Sequence, residues 1–199
     1  MKRFFTLALV GVMLLCAMQI VQRQMALADK LVRLHVIANS DSPSDQRLKL
    51  AVRDAVLEQV DSATAHCANK EQTLRVLERE LPALQRTAQN TLRQLGCDDA
   101  VQVSLTQERF PTRYYETFTL PAGQYTSLRV ELGQAQGRNW WCVAFPTLCT
   151  AAQLEDMRAI AVGYGFSQEE VAMITQAEEY QIDFKILELL EKLRNLIGI

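Results

Sequence analysis

Asn139-Trp140-Trp141-Cys142-Val143-Ala144-Phe145-Pro146-Thr147-Leu148-Cys149 is the stretch around which the rest of the chain can be read. Both tryptophans of the protein stand here side by side, and two of its five cysteines close the run. An apolar run of this length, bounded by a proline, has the pattern of a buried strand. Side chains alternate along a strand, so Trp141, Val143 and Phe145 share one face, and Trp140, Cys142 and Ala144 share the other. Both sets are apolar. Such a strand is either covered on both sides or leaves one face for a partner. Trp141, Val143 and Phe145 are assigned to the core. Trp140, beside Asn139 at the end of a glycine-bearing loop, is placed on the other face as a binding anchor. Pro146 has no N–H to give to a ladder and ends the strand. Fully extended, Cys142 and Cys149 would stand about 23 Å apart at ~3.3 Å per residue, far beyond the ~7 Å that a disulfide tolerates. A Cys142–Cys149 bond is expected, with the chain doubling back around Phe145, Pro146 and Thr147.

The N-terminus has a different character. Lys2 and Arg3 precede an apolar run from Phe4 to Val21, interrupted only by Thr6, Gly11 and Gln19. A basic start followed by an apolar middle marks a secretory signal or a membrane anchor. Ala26-Leu27-Ala28 supplies small residues at the spacing a signal peptidase accepts, with cleavage before Asp29; the cleaved and anchored forms both stay open. Without residues 1–28, which carry Lys2, Arg3 and Arg23 and no acid, the 21 basic residues fall to 18 against 23 acidic ones, a net charge near −5. An acidic exported domain is a poor partner for nucleic acid or for an anionic membrane surface. No cofactor or metal is expected: none of the cysteine spacings is that of a zinc site, and His66 and Cys67 are adjacent in sequence.

Taken in order, Leu31 to Ala38 alternates as a strand, with Val32, Leu34, Val36 and Ala38 on the core face and Arg33, His35 and Ile37 on the other. Ser42-Pro43 with Asp45 three residues after Ser42 opens a helix over 43–65, and Asp45–Lys49 is an i,i+4 pair for its wet face. Leucines in one phase predict a second helix over 69–95, running through Pro82 and ended by Gly96. From 101 the period becomes alternating: Val101 to Leu105, Tyr114 to Leu120 and Thr126 to Leu132 are strands. Residues 151–162, a stretch capped by Ser167 and Glu170, and the leucine-rich tail from Phe184 are read as helices. The expected fold is α+β: a two-layer sandwich in which a mostly antiparallel meander carries two long helices on one face. The divisions are 1–28 for the signal or anchor, 29–150 for the α+β domain and 151–199 for a helical extension.

Polar groups gather where the first strand meets the first long helix: Arg33, His35, Asn39, Ser40 and Asp41. Strand ends of this kind host ligands in many sheet proteins, while Asn-Ser-Asp is also ordinary turn and capping chemistry. No nucleophile–base pair, phosphate loop or paired carboxylates are visible.

Two segments carry a resemblance. Arg33 to Val56 (R-L-H-V-I-A-N-S-D-S-P-S-D-Q-R-L-K-L-A-V-R-D-A-V) and Leu120 to Cys149, with its N-W-W-C-V-A-F-P-T-L-C string, resemble the stage II sporulation protein R family. Thr147 stands where a second proline would be expected. The resemblance implies a non-catalytic signalling protein of endospore formers, made in the forespore and exported to the space between the two cell membranes. There it would activate a membrane-embedded aspartic protease of the mother cell, which processes a sigma-factor precursor. Contact residues are expected among Arg33, His35, Asn39, Asp41, Asn139 and Trp140, with membrane contact through the N-terminal segment if it is uncleaved. The rival reading is an exported hydrolase with its site at the Arg33–Asp41 corner. A deep pocket there would favour the enzyme and a shallow surface the ligand.

Overall fold

The computed structural model describes residues 2–148 and 153–197. In chain order the elements are α1 (Lys2–Ala28), β1 (Val32–Ile37), α2 (Pro43–Thr64), α3 (Lys70–Gln94), β2 (Val101–Phe110), β3 (Arg113–Tyr114), β4 (Thr119–Leu120), β5 (Gly123–Leu132), β6 (Asn139–Phe145), α4 (Leu154–Gly163), α5 (Gln168–Thr175) and α6 (Gln181–Ile197).

The helices begin where local chemistry says they should. The Asp45 N–H donates to Ser42 Oγ at 3.1 Å with Pro43 in the first turn, so α2 opens on a side-chain cap. Val52, Val56 and Val60 then fall one turn apart on a fully buried stripe. Asn69 caps α3 in the same way through Gln72 N, and that helix continues past an exposed Pro82 to end before Gly96, whose φ is 76°. Ser167 and Glu170 complete a reciprocal capping box on α5. The Asp45–Lys49 pair does not form. Asp45 is taken by Ser40 Oγ at 2.6 Å and Asn39 Nδ2 at 3.1 Å, and the buried Lys49 ammonium donates to Gln46 Oε1 and to the Arg138 carbonyl.

The fold is α+β with a mixed four-stranded sheet in the order β2-β5-β1-β6. The meander expected from consecutive strands is interrupted, because β1 inserts between β5 and β6. It lies parallel to β5 (Leu34 opposite Leu128) and antiparallel to β6 (Leu34 opposite Cys142). All six residues of β1 are buried, as a central strand covered on both faces requires. The stretch from Tyr114 to Leu120 is a short two-stranded arm, β3–β4, rather than one strand.

The two-layer expectation also changes. Val32, Leu34, Val36, Val130 and Ala144 meet α2 and α3 in one core cluster. On the opposite face a second cluster joins Phe110, Tyr125 and Val143 to residues of α4, α5 and α6 and to the end of α1. Fully burying such side chains stabilises by about 2 kcal/mol each, so both clusters hold the fold. Leu27 is 0% exposed and Ala28 is buried, so the core begins inside the segment read as an export device. Gly123 is the reason α1 can approach: a side chain there would run into the Gln24 amide. The Ala28 carbonyl accepts from Lys70 Nζ at 2.9 Å, and Arg23 pairs with Glu169 at 2.7 Å.

The tryptophans divide as expected between an outer and an inner ring, but on exchanged faces. Trp141 and Val143 face the second cluster, and Trp140 lies on the α2 side. Phe145 parts from them and joins the α2–α3 cluster, because the β1–β6 register shifts between Val32 and Arg33.

Candidate functional site

Arg33 and His35, expected at a contact surface, are buried instead, because the second layer covers their face of the sheet. The Arg33 guanidinium lies 4.3 Å from the Phe110 ring centre and 5.1 Å from that of Tyr125. Its Nε donates to the Cys142 carbonyl at 3.0 Å and its Nη2 to Tyr115 Oη at 2.7 Å. Burial pulls its pKa below the ordinary arginine value, opposed by the two tyrosines. Burial likewise raises the pKa of Tyr115 and of Tyr125. The aromatic faces stand in for a counter-ion, attracting the cation through their quadrupoles.

His35 sits one step further along β1 in a polar chain. Its Nδ1 faces both Glu108 oxygens, at 3.1 and 3.2 Å, and its Nε2 meets Asn139 Oδ1 at 2.8 Å. Arg129 Nη1 reaches the same Glu108 oxygen at 2.5 Å and its Nη2 reaches Glu131 at 2.8 Å. Burial alone would raise the Glu108 pKa, but the hydrogen bonds and charges of His35 and Arg129 prevail and hold it at about 2. Trp141 lids the imidazole, so His35 is shielded from solvent, whereas the half-buried Glu108 carboxylate keeps a small exposed edge.

Above this buried chain lies the exposed rim. Asn39 Oδ1 accepts from Gln134 N at 2.9 Å, which fastens the β5–β6 loop to the β1–α2 corner. Gly133 allows the approach: its φ is 57°, and a side chain there would meet the Asn39 amide. Asp41 Oδ1 accepts from Arg138 N at 2.6 Å. Asn139 and Trp140 follow at the open start of β6. Trp140 remains 37% exposed, with the Arg53 guanidinium 4.4 Å from its ring centre.

Of the six expected contact residues, Asn39, Asp41, Asn139 and Trp140 thus form one shallow rim, His35 supports it from beneath, and Arg33 belongs to the interior. The side chains sequence reasoning missed are Glu108, Arg129, Tyr115, Arg53 and Arg138. A charged pair on the otherwise alternating β2 and β5 was the available signal for Glu108 and Arg129. Nothing local pointed to Arg53. Cys67 and Cys97 are free thiols. The expected Cys142–Cys149 bond involves Cys149, which lies outside the described residues. Among the described residues no cluster of His, Cys, Asp or Glu is arranged to hold a metal ion.

Residues 28–155 match the family described as Stage II sporulation protein R. The chain belongs to the stage II sporulation protein R family. One relative, stage II sporulation protein R of Bacillus subtilis (strain 168), is 37% identical over 121 residues, covering 61% of this chain and 54% of the relative. The chain therefore spans about half the length of the curated relative it matches. No solved structure matches it. The matched segment spans the whole sheet, the His35–Glu108 chain and the rim. Most of α1, and all of α5 and α6, lie outside it. The family is a sporulation family and not a known enzyme family, and Phe4–Ala28 is an apolar helix of the length of a signal or anchor.

Proposed function

We propose that this chain is an exported signal of sporulation, made in the forespore, that acts as a non-catalytic ligand in the space between the forespore and mother-cell membranes. Its receptor is a membrane-embedded aspartic protease of the mother cell, which it activates to process a sigma-factor precursor. The observation that carries this reading is membership of the stage II sporulation protein R family together with an N-terminal apolar helix. The rim of Asn39, Asp41, Asn139 and Trp140, with Arg53 and Arg138 beside it, is the surface assigned to the receptor. An exposed aromatic flanked by charges is a common interface anchor. A hydrolase at the same corner would need His35 open to substrate, and Trp141 stacks on that ring at 3.8 Å. The corner's polar groups are also engaged with one another, Asn39 and Ser40 with Asp45 and Asp41 with Arg138.

The test is co-expression of the full chain with the protease and its precursor in cells that do not sporulate. Processing is expected only when all three are present. Precursor cleavage at the same rate without this chain would overturn the proposal.

A further inference from the structure

Helix α6 carries two apolar stripes on opposite sides. Phe184 and Leu187 face the core and are buried. Opposite them, Ile182, Ile186, Leu189 and Leu193 recur at spacings of four, three and four residues, which keeps them on one helical face. Ile182 is 75% exposed, Leu189 56% and Leu193 45%. A stripe this apolar on the outside of a helix marks an interaction surface, and it lies beyond residues 28–155.

The position of α6 says what covers it. Leu187 and Leu190 line a cleft of about 400 Å³ together with Val21 and Met25 of α1, and the two helices are in contact. The exposed part of α1 runs from Phe4 to Met18, apolar and uncovered on nearly every side. At ~1.5 Å per residue, Lys2 to Gln19 extends roughly 26 Å, close to the ~30 Å hydrocarbon core of a bilayer. Met25 is then on the order of 10 Å beyond Met18, at the depth of the headgroup region where amphipathic helices lie. Lys185, whose ammonium pairs with Glu188 at 3.3 Å, and Lys192 flank the stripe on one side as exposed residues, within reach of headgroups while their stems lie along apolar surface.

We infer that α6 beds its Ile182–Leu193 stripe in the surface of the bilayer that α1 enters, so that the domain is held against the membrane by two helices. This rests on the reading of α1 as a membrane-inserted segment that stays attached. A tethered domain of this kind would present its receptor rim at a fixed height above the membrane.

The experiment uses the full chain reconstituted in phosphatidylcholine vesicles that carry a photoactivatable acyl chain. After illumination, lipid adducts are mapped by peptide mass spectrometry. Adducts are expected on α1 between Phe4 and Met18 and on α6 at Ile182, Leu189 or Leu193. The double variant Leu189→Glu, Leu193→Glu should lose at least nine-tenths of the α6 adducts and keep those on α1. Adducts on α1 alone would overturn the inference, as would cross-links joining α6 of one copy to α6 of another without lipid. An absence of adducts from α1 itself would overturn it together with the anchor reading. Because the readout involves no protease, none of these results depends on the receptor being correctly assigned.

Discussion

The Trp141 indole lies stacked on the His35 imidazole, with ring centres 3.8 Å apart and planes 16° from parallel. Phe110 meets the same indole edge-on at 4.6 Å. Trp141 therefore closes the second cluster over the His35–Glu108 chain. Trp141→Ala should cost about 3–5 kcal/mol of stability, as large-to-small changes at packed aromatics do. Urea unfolding followed by circular dichroism would check this; an unchanged midpoint would show that the ring does not hold the layer.

Trp140 should behave in the opposite way. Its ring meets Arg53 but stays largely outside both core clusters. Trp140→Ala removes one exposed cation–π contact, worth about 0.5–1 kcal/mol, so the domain should still fold and be exported. Receptor affinity should fall by ~2 kcal/mol or more if the ring is the anchor. The comparison is precursor processing at matched protein levels, and normal processing would remove Trp140 from the contact surface.

Glu108 makes stability depend on acid. Its carboxyl is held at about 2, against an ordinary value of 4.5. The folded state thus binds this proton less tightly than the unfolded chain does. The stabilisation is fully present above the unfolded value of about 4.5 and is lost as the pH falls towards 2. It is on the order of 3 kcal/mol at neutral pH. Glu108→Gln should lower stability at pH 7 and flatten the decline between pH 4.5 and 2. Denaturant midpoints measured across that range would show equal slopes for both proteins if the ion pair is unimportant.

Leu27 belongs to the apolar N-terminal segment, yet it is 0% exposed and packs with Leu31, Phe110 and Tyr125. Leu27→Ala should therefore destabilise the folded domain by ~2–4 kcal/mol, an effect that a pure export segment would not produce. Thermal unfolding of the full chain in detergent micelles is the measurement. A chain shortened to begin at Asp29 should unfold at a still lower temperature, because Leu31 and the Gly123 edge of β5 lose their cover.

The buried Cys142 in the middle of β6 leads to a further expectation. A bond to Cys149 would close a short loop and stabilise by roughly 2–3 kcal/mol in the chain-entropy account. Non-reducing peptide mass spectrometry of the exported protein should find the two cysteines linked. Two alkylated thiols at these positions in active protein would count decisively against it.

What the sequence determined by itself was the local architecture. Ser42, Asn69 and the Ser167–Glu170 pair hydrogen-bond within three residues of themselves, so the starts of α2, α3 and α5 need no distant partner to be legible. The alternation from Val101 onward and from Asn139 to Ala144 likewise reports which side chains share a face, whereas Phe145 crosses over at the register shift beside Val32. It does not report what covers that face. Only the tertiary structure placed β1 between β5 and β6, brought the end of α1 and the C-terminal helices onto the second side, and turned Arg33 and His35 from surface candidates into interior groups. A polar residue on a strand is read as exposed because burying it without a partner is costly. Here the partners exist, but Arg33 finds Tyr115 and Cys142 at separations of 82 and 109 residues, and His35 finds Glu108 at 73. Contacts that far apart leave no trace in local periodicity; they are decided when the two faces of the sheet are filled.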